Sequence, residues 1–347
     1  MRATYLNSSH KNLGGYMVDF SGWEMPLHYG SQLNEHNEVR TNVGVFDVSH
    51  MAVFDLDGEK QEDFLRFLLP NDVKKISGQN KAIYSPMLNY DGGILDDLIV
   101  YYLGNKNFRI VSNCATREQN FSWLSKIAEP FNVGIDFKSD YSILALQGPN
   151  SYNFIKDYTV KEISKFAVHN TNDVMIAATG YTGELGFEII SNQEVGIKFW
   201  DEFISNGVQP IGLAARDTLR LEAGLNLYGT DMNHTNNPYD SNIGWTIDLN
   251  DKDRDFIGKS ALNDKKDSKK ILKGFYTEER GVLRGGADIN FNGGSGVITS
   301  GTWSPTFKKN IGFCRVGKNC GEIGSAVLRD KKITLKFCNT NFLELRK

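Results

Sequence analysis

Apolar residues recur at helical spacing in several stretches of the first 250 residues. Phe64, Phe67 and Leu68 share one side of a predicted helix that Pro70 ends. Ser31 is placed to cap a second helix that runs to about Arg40. Two further helices are predicted, at residues 211–225 and around the apolar face of Val195, Phe199, Trp200 and Phe203.

Short apolar runs between turn residues predict β-strands. Residues 45–56 alternate partly between apolar and polar side chains and predict one strand before the Asp57-Gly58 turn. Residues 108–113 predict a strand paired with the apolar run 98–100, and strands are also expected at 174–177 and 187–190. From Leu272 onward, short strands and Gly-rich turns predict a small antiparallel β domain.

The stretch 91–101 (DGGILDDLIVY) combines a turn, a strand and two acids. Gly92 and Gly93 predict a tight turn, and Asp96 and Asp97 stand where the following strand begins. A carboxylate among apolar neighbours is costly unless a cation or a hydrogen-bond donor meets it. Two interpretations stay open: both acids are solvated turn residues, or they form part of a binding site.

Two more polar residues stand in unusual surroundings. Glu188 interrupts an apolar strand, so it either faces solvent or meets a ligand. Arg216 lies among small residues of a predicted helix that leave room for a flat molecule. Arg216 and Arg220 are one turn apart, and either can instead pair with Asp217 or Glu222.

Other motifs point to structural roles. Thr116 and Gln119 predict a capping box at the start of a helix. His36 and His50 lack the serine and carboxylate context of a catalytic triad, so we interpret them as packed or hydrogen-bonded histidines. The glycines at 180, 183 and 186 lead into a strand and lack the Lys-Ser/Thr pair of a phosphate-binding loop.

Two acids, an arginine and several tyrosines therefore remain as candidates for chemistry. Such a set suits a planar heterocycle: a carboxylate binds an amino-amidine edge, a guanidinium binds an oxygen, and aromatic rings pack on the face.

Composition excludes several classes of function. The chain has 347 residues, a net charge of -3 and a pI near 6.1, which argue for two or three domains and against nucleic-acid binding. Its four cysteines show no metal-ligand spacing, so we expect free thiols and no metal site. No apolar run is long enough to cross a membrane, and the N-terminus lacks the apolar region of a signal peptide. The cytoplasm is the expected location.

Ordered motifs along nearly the whole chain resemble the glycine cleavage system T-protein, the tetrahydrofolate-dependent aminomethyltransferase. The resemblance begins with MVDFSGWEMP at 17–26 and VGVFDVSHM at 43–51. It continues, in order, with GGILDDL (92–98), LQGP (146–149), TGYTGE (179–184), GFE (186–188), ARDTLRLEAG (215–224), FIGK (256–259), TSG (299–301) and SPT (304–306).

The resemblance implies an α+β fold: a three-domain cloverleaf with a central folate channel. Residues 1–140 and 141–270 are expected to form two interleaved α+β folate-binding domains, and residues 271–347 a C-terminal antiparallel β-barrel. The implied co-substrate is tetrahydrofolate, with no metal, and the implied partner is lipoylated H-protein, with no nucleic acid or membrane. The implied reaction moves the methylene of an aminomethyl-lipoyl group to tetrahydrofolate and releases ammonia, 5,10-methylenetetrahydrofolate and dihydrolipoyl H-protein.

The family's functional residues carry over to positions that match its motifs. Asp97 matches the essential carboxylate beside the reacting folate nitrogens, and Glu188 matches the acid that holds the pterin edge. The remaining implied folate contacts are Tyr84, Tyr181 and Arg216, with Asn113 and Met51 as pocket lining.

The chain also departs from the family. Ala178 stands where the family commonly has arginine, and the segment after Phe337 lacks the usual Pro-Phe ending.

Three alternative functions are considered. A folate-dependent demethylase is the first; it departs from FDVSHM or carries a flavin domain. A folate-binding iron–sulfur assembly protein would have KGCxxGQE where this chain has DFIGKS (255–260). A non-catalytic H-protein-binding module would not need Asp97.

Overall fold

The computed structural model describes residues 1–159, 164–171 and 173–346. Residues 160–163, 172 and 347, which fall in the predicted second and third domains, lie outside the described residues. The α-helices are α1 (Asn7–Asn12), α2 (Gln32–Thr41), α3 (Gln61–Leu68), α4 (Arg117–Ala128), α5 (Gln193–Ser205), α6 (Leu213–Glu222) and α7 (Lys259–Lys265).

The strands before residue 211 are β1 (Arg2–Ala3), β2 (Tyr16–Phe20), β3 (Trp23–His28), β4 (Gly44–Asp47), β5 (Ala52–Asp57), β6 (Ala82–Leu88), β7 (Ile94–Gly104), β8 (Asn107–Ser112), β9 (Gly134–Phe137), β10 (Tyr141–Gln147), β11 (Val168–Asn170), β12 (Val174–Ala177), β13 (Gly186–Asn192) and β14 (Gln209–Pro210). The later strands are β15 (Lys270–Thr277), β16 (Asp288–Phe291), β17 (Gly294–Ser304), β18 (Lys309–Gly317), β19 (Ile323–Leu328) and β20 (Lys331–Cys338).

The predicted helices are confirmed, with small changes at their ends. The Ser31 side chain accepts a hydrogen bond from the Asn34 amide and caps α2 as expected. Helix α3 ends at Leu68, before Pro70. Helix α5 buries Phe199, Trp200 and Phe203 on one face.

A five-stranded sheet in the order β6-β7-β8-β5-β9 carries the Asp96–Asp97 stretch. Strand β7 pairs with β8, which confirms the predicted pairing of 98–100 with 108–113. Helices α3 and α4 contribute to the core on one face of this sheet, where Phe54, Phe64 and Leu124 are buried.

A six-stranded sheet in the order β11-β12-β13-β10-β4-β14 carries Glu188. Helix α5 contributes Trp200 and Phe203 to a core that also contains Leu146 and Ile189 of this sheet. A further apolar cluster contains Phe46 and Ile190 of the six-stranded sheet and Tyr101 and Val111 of the five-stranded one. The two sheets therefore meet at this cluster.

Residues 45–56 do not form one strand, so that prediction is wrong. Strands β4 and β5 belong to different sheets, and residues 48–51 connect them. The buried Asp47 carboxylate accepts a hydrogen bond from the Thr4 hydroxyl at 2.6 Å, lies 2.9 Å from His10 Nε2, and accepts the Ser49 amide. These contacts fix a bend that the alternation of residue types does not show.

The C-terminal part forms a closed barrel in the order β15-β18-β17-β16-β19-β20 with antiparallel neighbours. Phe275, Ile298, Cys314 and Leu335 fill it. The predicted antiparallel β domain and the α+β class are confirmed.

Because β4 lies in the same sheet as β10 and β13, the first 140 residues contribute strands to both large sheets. The domain limits at 140 and 270 stay a prediction.

Candidate active site

The turn before β7 sets the position of the two acids. Gly92 has a φ of +73°, which side chains disfavour, and a Cβ on Gly93 would lie 2.1 Å from the carbonyl oxygen of His234. The Asn89 side chain accepts the Gly93 amide at 2.7 Å. The turn thus closes before Ile94, and both acids lie inside the strand. The interpretation of Asp96 and Asp97 as solvated turn residues is wrong.

Asp97 is partly exposed and receives two hydrogen bonds. The Tyr84 hydroxyl donates to Oδ2 at 3.0 Å, from the neighbouring strand β6. The side-chain amide of Asn113, just past β8, donates to Oδ1 at 2.9 Å. In the described part of the chain, no ion pair is found for Asp97.

The surroundings of Asp97 change its acidity. Burial, and next the negative charge of Asp96, raise the pKa of Asp97 from its ordinary 3.8 to about 7, although the Tyr84 and Asn113 hydrogen bonds oppose the rise. Both protonation states are therefore populated near neutral pH. A carboxyl group in this state can accept a proton and donate one in the same pH range.

Asp96 is fully buried and has more donors. Asn113 donates to it from its backbone amide at 3.3 Å and from its side chain at 2.7 Å. The Thr116 hydroxyl donates at 2.7 Å and the Asn120 side chain at 2.5 Å. The predicted capping box is wrong, because Thr116 makes no side-chain cap to α4 and instead binds Asp96.

Glu188 lies on β13 between two alanines, Ala145 of β10 and Ala177 of β12. It is only 7% exposed, so the solvent-facing alternative is wrong. Its Oε2 accepts hydrogen bonds from the hydroxyl groups of Tyr101 and Thr179. Among the described residues, Oε1 has no hydrogen-bond donor, so one oxygen stays available to a ligand.

Arg216 contacts an aromatic ring and has no acidic partner among the described residues. Its guanidinium carbon lies 4.7 Å from the centre of the Tyr181 ring. Burial lowers the pKa of Arg216, while Tyr181 and Glu188 oppose this effect. Of the two arginines on α6, Arg220 is the one that pairs, with Asp217 at 2.9 Å and with Asp231 at 2.6 Å.

Electrostatic influence links Asp97 to Tyr181 and Glu188 to Arg216. Burial raises the pKa of Tyr181, Arg220 lowers it, and Asp97 raises it further. Glu188 acts on Arg216 in turn. The structure therefore groups Asp97, Tyr84 and Asn113 directly, with Tyr181, Arg216 and Glu188 around them.

Two further residues belong to the description of this region. Met51 is partly buried against the apolar cluster between the sheets, and its place in the pocket lining stays a prediction. Trp245, which sequence reasoning missed, is 69% exposed and stacks on Tyr84 with ring centres 6.0 Å apart. No local pattern singles it out, because Ile243, Ile247 and Leu249 surround it with further apolar residues.

Comparison with protein-family models assigns the chain to a family. Residues 6–251 match the GCVT N-terminal domain, and residues 270–343 match the glycine cleavage T-protein C-terminal barrel domain. The chain belongs to the glycine cleavage T-protein family. It is an enzyme, a folate-dependent one-carbon transferase of the aminomethyltransferase type.

Solved structures agree with this membership. The chain is similar to the glycine cleavage system aminomethyltransferase T from Bartonella henselae, with 32% identity and a TM-score of 0.94 over 99% of this chain and 98% of that one. A weak similarity is also found to the heterotetrameric sarcosine oxidase of Corynebacterium sp. U-96, with 13% identity and a TM-score of 0.33 over 54% of this chain and 92% of that one. The second similarity bears on neither fold nor function.

Other features of this T-protein family member concern metals, membranes and thiols. Within the described ranges, no group of three or more His, Cys, Asp or Glu residues is arranged to hold a metal ion. The same ranges contain no helix with the length and apolar character needed to span a membrane. Cys114, Cys314, Cys320 and Cys338 are free thiols. Ala178, at the position where the family commonly has arginine, is buried in the core beside α5.

Proposed function

We propose that this chain is the aminomethyltransferase of a glycine cleavage system. In the proposed reaction, the methylene carbon leaves the amine nitrogen and the lipoyl sulfur of H-protein and bonds to two nitrogens of tetrahydrofolate. The products are ammonia, 5,10-methylenetetrahydrofolate and dihydrolipoyl H-protein. Family membership supports the reaction class. The observation that carries the proposal is the Asp97 carboxylate held by the Tyr84 hydroxyl and the Asn113 side-chain amide.

The proposed reaction moves protons, and Asp97 is suited to move one. Two folate nitrogens each lose a proton, while the amine leaving group and the thiol each gain one. A carboxyl group with a pKa near 7 takes a proton from a folate nitrogen and returns it to the leaving amine without a large energetic penalty in either step. In its ionised form the same group stabilises a cationic methylene-bearing intermediate.

The surrounding residues supply contacts that a reduced pterin requires. The free Oε1 of Glu188 is placed to accept N–H groups from the amino-amidine edge of the pterin. Arg216, which lacks an acidic partner among the described residues, is available to an oxygen or a carboxylate of the ligand. Tyr84, Tyr181, Asn113 and Met51 are the proposed remaining lining, and the cytoplasm is the proposed compartment.

Ammonia release from aminomethyl-loaded H-protein, measured with and without tetrahydrofolate, tests the function. We expect rapid release that requires tetrahydrofolate and yields methylenetetrahydrofolate in equal amount. No folate-dependent release, together with one-carbon transfer from a methylated amine or sulfur compound, would show the alternative demethylase instead. The wild-type protein serves for both assays, so a folding defect cannot produce the result.

A further inference from the structure

The two adjacent acids of β7 are hydrogen-bonded very unequally. Asp96 receives four donors, from the backbone and side chain of Asn113, from Thr116 and from Asn120. Asp97 receives two side-chain donors, from Tyr84 and Asn113. The Asn113 side-chain amide donates to both carboxylates and so links them.

The orientation of Asn120, one of these donors, adds to this comparison. Its amide nitrogen points to Asp96, Ser112 and Thr116. Its carbonyl oxygen is buried and has no hydrogen-bond partner in the described part of the chain. An unpaired buried carbonyl is costly. An ionised Asp96, as a strong acceptor, favours this orientation of the Asn120 amide more than a neutral one does.

Two carboxylates this close do not both ionise easily, and the state with one proton is favoured near neutral pH. The proton goes to the group that loses less by becoming neutral. Burial raises the pKa of Asp96, and the hydrogen bonds from Asn113, Thr116 and Asn120 oppose that rise. A carboxylate with four donors loses more by becoming neutral than one with two, so the negative charge stays on Asp96.

We propose that Asp96 is a positioning residue that remains ionised, and that Asp97 carries the exchangeable proton of the pair. Asp96 orients Asn113, which in turn orients Asp97, and its fixed charge keeps Asp97 protonatable at neutral pH. The catalytic meaning of this division rests on the proposed function, but the protonation states are measurable without any substrate.

The other titratable groups around Asp97 do not change which of the two acids holds the proton. Tyr84 on β6 and Tyr181 and Tyr228 on neighbouring loops are neutral phenols near pH 7, because burial raises the pKa of each. Cys114, beside Asn113, is a thiol whose pKa burial also raises. Arg216 packs on the ring of Tyr181, and no ion pair with Asp97 is found for any described residue.

Carbon-13 NMR of the wild-type protein, labelled at aspartate carboxyl carbons, tests the proposal. Comparison with Asp97→Asn and Asp96→Asn assigns the two signals. We expect the Asp97 signal to titrate near pH 7 while the Asp96 signal stays at the ionised position from pH 8 down to at least pH 5. Titration of Asp96 near pH 7, or equal titration of both, would overturn the proposal.

Variants separate a charge effect from a packing effect. In Asp96→Asn we expect the Asp97 midpoint to fall by at least one pH unit, which a purely structural role would not produce. If that variant fails to fold, Thr116→Val removes one donor from Asp96 and is expected to transfer part of the neutral-pH titration from Asp97 to Asp96. Thr116→Ser keeps the hydroxyl and should leave both titrations as in the wild type. An unchanged division in Thr116→Val would contradict the proposal, and ammonia assays have no bearing on either result.

Discussion

Two buried clusters in this chain each contain a carboxylate, and their acidities differ by several powers of ten. Asp97, on β7 beside Tyr84 and Asn113, has its pKa raised to about 7. Glu222 lies where α2, α6 and the barrel meet. Burial alone would raise its pKa, but the hydrogen bond and charge of His36, then Arg40 and Ser304, lower it to about 2.

The hydrogen-bond and ion-pair partners of the two carboxylates explain the difference between their pKa values. Arg40 donates to Glu222 Oε2 from Nε at 3.0 Å and from Nη2 at 2.8 Å, and His36 Nε2 lies 3.3 Å from the same oxygen. On the barrel side, Ser304 and Thr306 donate to the carboxylate. Asp97 has an acidic neighbour, Asp96, in place of Arg40 and His36. Loss of hydration raises the pKa of both acids, and the charge of the neighbouring groups separates a structural acid from a proton carrier.

The largest expected effect is on stability, in Glu222→Gln. The change removes the charge that Arg40 and His36 face, and a broken buried ion pair costs about 3–5 kcal/mol. We expect the free energy of unfolding in urea to fall by roughly that amount. Asp217→Asn, on the exposed side of the same helix, is the matched control and should cost less than about 1 kcal/mol. Equal losses of unfolding free energy in the two variants would show that the buried contacts of Glu222 stabilise the fold no more than the exposed Asp217 pair does.

The next effect is on turnover, in Asp97→Asn. We expect turnover to fall roughly 100-fold or more, because the amide can neither carry the proton nor hold a negative charge. Folate affinity, measured by calorimetry, should change only a few-fold. Asp91→Asn alters an exposed acid in the turn before β7 and should keep wild-type turnover. Near-wild-type synthesis of methylenetetrahydrofolate by Asp97→Asn would contradict the assignment.

A smaller effect is expected on binding, in Glu188→Gln. The glutamine oxygen still accepts from Tyr101 and Thr179, but its NH₂ group then points to where the ligand's donors would lie. A lost hydrogen bond to a charged group costs about 1.5–3 kcal/mol, or roughly 10- to 100-fold in tetrahydrofolate affinity. Glu194→Gln, an exposed change at the start of α5, is the control. Unchanged affinity in Glu188→Gln would count against its role.

Local sequence was sufficient to predict the elements that depend only on adjacent residues. The glycine pair at 92–93 predicted the turn before β7, and Ser31 predicted the start of α2, because backbone conformation and capping depend on adjacent residues. The strand at 45–56 was mispredicted because Asp47 is held by Thr4 and His10, more than 30 residues away along the chain. No local pattern carries that information.

In the candidate site, too, local residue types predicted some features, and only the fold shows the others. The resemblance supplied Asp97 and Glu188, and residue types alone made both acids unusual. The donors that set their acidity come from distant segments. Thr116 was predicted to cap a helix, and only the fold shows that its hydroxyl binds Asp96. Trp245 was missed because its contact with Tyr84 joins segments about 160 residues apart.

The smallest expected effect concerns the pH dependence of stability, which has opposite signs at the two acids. The pKa of Asp97 is raised in the folded state, so its contribution to stability is present below pH 3.8 and is lost as the pH rises through about 7. The pKa of Glu222 is lowered, so its contribution is present above pH 4.5 and is lost as the pH falls toward about 2.

Urea unfolding at pH 5 and at pH 8 separates the two cases. Between these values, Asp97→Asn should gain about 1–2 kcal/mol relative to wild type, less than the full pKa shift implies because Asp97 is partly exposed. The carboxyl group of Glu222 itself stays ionised in the folded state over this range, because its pKa of about 2 lies well below pH 5. If Asp97→Asn shows no relative gain, the wild-type carboxyl group does not titrate between pH 5 and pH 8 in the folded protein, which would contradict a pKa near 7.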